Sequence, residues 1–200
     1  MIELNQKINL KELEKKAWTT YFQDGLWDIF FGIMLLTMVI RTITDNVWFT
    51  FLMFLGVFFM IAGKRYITTP RIGLVKFGTA RMMKRIKLLG IIGLTVIITS
   101  CLLWPNAFFK DLPTIVSSIL VASMVITIFC AMAYYLDYFP LAIYGLLFGI
   151  GEILWSLFGE SVGLMAMLVF GSFIFILGLI MLGQFLRKYP LPTEEVANGI

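Results

Sequence analysis

The run Leu146-Leu147-Phe148-Gly149-Ile150-Gly151-Glu152-Ile153-Leu154-Trp155 holds a single charge, that of Glu152. A carboxyl in such surroundings can bind a proton or a cation, and it needs a partner to offset the cost of leaving water. Gly145, Gly149, Ser156, Gly159 and Gly163 recur around it at three- and four-residue steps, so on a helix they share its face. Small residues there let another helix approach closely. Asp24, Asp28 and Gly32 are spaced by four and form one face of an earlier element, while Asp137 closes a stripe of Ser123, Thr127, Cys130 and Tyr134. Glu152, Asp28, Asp24 and Asp137 are therefore the candidates for binding or proton handling. Gly145, Gly149, Ser156, Ser123 and Thr127 are candidates for helix packing or for the wall of a polar path.

The elements that must position these groups are apolar. Hydrophobic residues make up 60% of the 200-residue chain and charged residues only 14%, outside the range of soluble domains. They come in unbroken blocks rather than at a spacing that shields one face. Blocks of ~17–25 residues match a ~30 Å hydrocarbon core at 1.5 Å of rise per residue. Backbone groups in lipid must be satisfied within their own segment, so the blocks are expected to be helices. The expected fold class is all-α, an integral membrane bundle of six spans preceded by an N-terminal interfacial amphipathic helix. The spans fall at 26–43, 46–63, 88–104, 113–135, 141–158 and 162–186.

Residues 1–25 form the lead-in. Asn9 and Glu12 have the spacing of a helix cap and its capping partner, and Leu10, Leu13, Ala17 and Tyr21 recur at helical spacing. Such a helix is expected on the membrane surface. Glu3, Glu12 and Glu14, with no small-residue cleavage site after the first apolar block, argue against a removable targeting segment. The spans and a basic connection, 64–87, occupy 26–186, and 187–200 is a tail.

With six spans, all but Arg41 and Lys110 of the sixteen Lys and Arg residues fall on one side. The positive-inside rule then puts both termini in the cytoplasm, with the chain in the cell (inner) membrane. Arg71, Lys76, Arg81, Lys84 and Arg85 of the connection are placed to meet anionic lipid headgroups or phosphate-bearing ligands; topology explains this charge without nucleic acid. Asp28 and Arg41 stand ~20 Å apart on one helix, less than the hydrocarbon thickness. Arg41 is expected to snorkel outwards and Asp28 to pair with a cation of the connection such as Arg71.

Cys101 and Cys130 fall near opposite faces of the membrane if their spans are antiparallel neighbours, too far apart for the ~4.4–6.8 Å of a disulfide. The chain has no histidine, so it lacks the commonest metal ligand and the usual acid–base group at neutral pH; no metal or cofactor is expected. Arg65-Tyr66, Tyr134-Tyr135 and Lys188-Tyr189 close the second, fourth and sixth spans. This is either an echo of three hairpins or the ordinary preference of such residues for interfaces. The stretch Tyr66-Ile67-Thr68-Thr69-Pro70-Arg71-Ile72-Gly73-Leu74-Val75-Lys76-Phe77 resembles the Pro-Arg-x-Gly-x-Val-x-Phe signature of small prokaryotic multi-pass membrane proteins of uncharacterised function. The resemblance implies a multi-pass fold and brings no activity.

Enzyme motifs do not hold up. Tyr135-Leu136-Asp137 with Gly149-Ile150-Gly151-Glu152 departs from an intramembrane aspartyl protease in spacing, in residue type and in the depth of the two acids. Gly171-Ser172 has no histidine base, and Asp24-Gly25 lacks the further acids of a membrane phosphotransferase. The expected function is a small transporter or channel using a buried carboxyl. The competing class is an accessory or assembly subunit whose small-residue faces bind membrane helices, either of a second copy or of another protein.

Overall fold

The apolar blocks are helices in the structure, a computed structural model that describes residues 10–72, 82–84, 86–91, 93–94 and 113–191, apart from the side chains of 10–15 and 54. All regular structure among these residues is helical. Helix α1 spans Leu10–Phe22, α2 Leu26–Thr44 and α3 Thr50–Gly63. After the undescribed stretches come α4 (Thr114–Leu136), α5 (Pro140–Phe158) and α6 (Glu160–Lys188). Among the described residues, five stretches are long and apolar enough to cross a membrane: Lys16–Thr44, Val47–Ile72, Thr114–Leu136, Pro140–Phe158 and Glu160–Lys188. Asn9, Gly73 to Phe77, Lys110, Cys101, residues 192–200 and most of the span expected at 88–104 lie outside the described residues.

Helix packing runs α3–α2–α6–α5–α4. The α2–α6 crossing depends on glycine. A Cβ on Gly32 would lie 2.6 Å from the Phe175 backbone nitrogen, and one on Gly178 would lie 2.5 Å from that of Ile29. The contacts pair the start of α2 with the end of α6, so the two are antiparallel. Gly25, at φ 82°, turns the chain from α1 into α2 while lying against the Gly178 carbonyl. A left-handed residue with no room for Cβ suits glycine on both counts. At α4–α5, Gly145 abuts Phe129 and Gly149 abuts Ile126, again antiparallel.

Helix α1 buries Trp18 and Phe22 in the core, with Tyr21 packed against it, and Trp18 donates its indole N–H to the Leu136 carbonyl at 2.9 Å. Contrary to expectation, the helix that begins with α3 does not break at Lys64. It runs on through a π-helical segment, Lys64–Thr68, into a last turn, Thr69–Ile72. Part of the supposed surface connection is thereby drawn into the bundle.

Candidate functional site

Asp24 sits in the break between α1 and α2, fully buried. Its carboxylate accepts the Leu26 backbone N–H at 3.1 Å and the Lys64 ammonium at 2.8 and 2.7 Å. Thr68 donates its hydroxyl to the same carboxylate. Lys64 also donates to the Tyr21 carbonyl and lies 4.5 Å from the centre of the Tyr21 ring. The Lys64 and Thr68 donors both come from the π-helical segment, four residues apart and on one face. Such segments are frequent at functional sites.

One turn further along α2, Asp28 is equally buried but keeps different company. Tyr138 donates its hydroxyl to the two carboxyl oxygens at 2.8 and 2.9 Å, and Tyr144 donates to one of them. Tyr144 lies in the second turn of α5. Tyr138 lies in the α4–α5 turn, where Asp137 adopts the left-handed conformation at φ 54°. Burial, and then the neighbouring Asp28 charge, push the Tyr138 phenol above its ordinary range, so it remains a donor at neutral pH. The ion pairs formed among the described residues are Lys64–Asp24 and Lys84–Asp137, the latter at 3.4 Å. Neither involves Asp28. The expected partner Arg71 instead donates to the Ile67 carbonyl at 3.0 Å. Asp28 is reached by phenols from α5 and from the turn that precedes it, which satisfy a carboxyl without bringing a second charge out of water.

Glu152 is half-buried on α5 and faces the Ser118 hydroxyl of α4. It lies eight residues beyond Tyr144, ~12 Å along the helix, so it does not join Asp28. The Ser156 hydroxyl is buried without a hydrogen-bond partner. The two stripes do not meet each other. Gly145 and Gly149 pack against large side chains of α4, while Ser123, Thr127, Cys130 and Tyr134 are exposed. Ser123 and Thr127 donate to the carbonyls of Leu120 and Ser123 on their own helix, at 2.8 and 2.7 Å. Hydroxyls satisfied in this way need no second helix. Asp137 sits half-buried at the rim against Lys84, and Lys76, Arg81 and Arg85 lie outside the described residues.

The structure thus brings together Asp24 and Asp28 and separates them from Glu152. Sequence reasoning missed Lys64, Thr68, Tyr138 and Tyr144. Lys64 had been read only as a charge that orients the chain. The tyrosines carried no signal beyond their place near the ends of apolar blocks. No family model, curated protein or solved structure matches the chain, so its function has to be read from the chemistry of this cluster.

Proposed function

We propose that the protein is a small transporter or channel of the cell (inner) membrane, with both termini cytoplasmic, that moves a proton or small cation by way of Asp28. One observation carries the reading: a carboxyl with no exposed surface is held by two phenols and, among the described residues, by no cation. An ionisable side chain within a span is costly and by default marks a working site. Two hydroxyls are suited to a group that changes charge. They donate to the carboxylate, and each keeps oxygen lone pairs that can accept from the acid. Asp24, with its cation already in place, is the fixed neighbour that anchors the start of α2. The basic residues at this end of the bundle would meet anionic headgroups.

The test is flux. Purified protein is reconstituted into liposomes holding a pH-sensitive dye, and a pH gradient is imposed with valinomycin and potassium to clamp the potential. Parallel samples read sodium and potassium uptake. The expected result is ion movement that Asp28→Asn abolishes and Glu152→Gln leaves largely intact. Absence of flux from folded wild-type protein, with a membrane protein co-purifying in fixed stoichiometry, would replace this reading with the accessory-subunit role.

A further inference from the structure

At the end of the bundle where α1 lies, a cavity of about 350 Å³ opens between α1 and α6. Thr20 and Gln23 line one side, and Met181, Gln184 and Lys188 line the other. Met181 belongs to two environments. It forms part of the cavity wall, and its sulfur lies 3.6 Å from the Tyr138 hydroxyl that holds Asp28. One side chain therefore stands between an open polar cavity and the hydroxyl of a fully buried carboxyl cluster. That side chain is unbranched and flexible, and its sulfur is a poor hydrogen-bond acceptor.

We infer that Met181 is the gate of Asp28 and that the ion admitted through this cavity is the proton. The inference rests on the reading of Asp28 as the working carboxyl and names its route and its ion. When the thioether swings aside, water from the cavity can reach the Tyr138 hydroxyl, with the Gln23 and Gln184 amides as further partners. A hydronium ion then gives its proton to Tyr138 and becomes water. Tyr138 passes its own hydroxyl proton to Asp28, and the carboxylate becomes the neutral acid. When the thioether returns, this route is closed.

Selectivity follows from ligand number. No carboxylate lines the cavity among the described residues. A metal cation needs several oxygen ligands, whereas the Asp28 oxygens are already engaged by two phenols. A proton relayed through water needs no such cage. The titratable groups around Asp28 are Asp24 before α2, Tyr138 before α5 and Tyr144 on α5. Lys64, beyond α3, is held by Asp24, and among the described residues α6 contributes the Met181 thioether.

Two readouts test the gate, in a background where Cys101 and Cys130 are serine. Met181→Cys is exposed to a membrane-impermeant thiol reagent from each side in turn, with denatured protein as the control. The expected labelling is rapid from the α1 side and absent from the other. In the liposome assay, Met181→Ala should raise the proton leak severalfold and leave sodium and potassium fluxes at background, and adding Asp28→Asn should cancel the rise. A thiol that reacts only after denaturation overturns the gate. So does a proton flux that depends on Asp28 but is unchanged in Met181→Ala. If wild-type protein carries sodium or potassium through Asp28, the proton assignment falls while the reading of Asp28 stands. If no ion moves in any variant, the reading of Asp28 itself fails.

Discussion

Asp24 and Asp28 lie one turn apart, both fully buried, yet one is neutralised by an ammonium and the other by hydroxyls. The difference fixes what each tolerates. Removing Lys64 strands a carboxylate inside the bundle, a change that costs about 3–5 kcal/mol when one partner of a buried pair is lost. Lys64→Ala is therefore expected to destabilise the protein by that order. Adding Asp24→Asn should restore much of the loss, because the neutral amide no longer needs a cation. Unfolding of the detergent-solubilised variants checks both, and a double variant no more stable than Lys64→Ala would show that Lys64 acts mainly through its packing on Tyr21 and its bond to the Tyr21 carbonyl. This pairing was only half visible in the sequence. The four-residue spacing of Asp24 and Asp28 showed that they share a face. Their partners come from positions 40 and 110 residues away in the chain, and no local pattern encodes such contacts.

Helix packing raises the same question at the scale of elements, because a small residue shows that something approaches closely but not what. The sequence drew attention to the glycines of α5, and these do meet α4. It gave no packing role to Gly171 and Gly178 of α6, which with Gly25 and Gly32 let α6 lie close against the start of α2. Their seven-residue spacing repeats on both partners, yet it stands out only once the partners are known. The contrast with Gly183 yields a test. An added Cβ at Gly183 meets nothing within 4 Å, whereas at Gly178 it strikes the Ile29 backbone. Gly183→Ala should be neutral or stabilising by up to about 1 kcal/mol, the gain in helix propensity. Gly178→Ala should destabilise by about 1–3 kcal/mol through overpacking. Thermal unfolding of the two variants side by side separates crossing geometry from propensity, and equal stabilities would mean that α6 slides along α2 at little cost.

For the whole molecule, hydropathy was the most legible signal. The blocks at 26–43, 113–135, 141–158 and 162–186 became Leu26–Thr44, Thr114–Leu136, Pro140–Phe158 and Glu160–Lys188, since block length is set by bilayer thickness and needs no knowledge of partners. The ends of these helices carry a further argument. Lys64 meets Asp24, Lys84 meets Asp137, and Leu136 meets Trp18, which places all of them at the α1 end. Thr114, at the start of a helix of 23 residues, stands ~33 Å away at the other end. Lys84 and Thr114 therefore stand at opposite ends of the bundle, and the third expected span, 88–104, lies between them in the sequence. Of the described cations, Lys16, Lys64, Arg65, Arg71, Lys84, Arg187 and Lys188 gather at the α1 end, and Arg41 lies in the last turn of α2 at the other. By the positive-inside rule the α1 end should be cytoplasmic. A reporter active only outside the cytoplasm should then signal when fused after Phe158 and stay silent after Tyr189, with a cytoplasm-active reporter giving the converse. A cytoplasmic signal after Phe158 would invert the bundle, turn the α1 cavity outwards, and make the proton entering past Met181 one drawn from outside the cell.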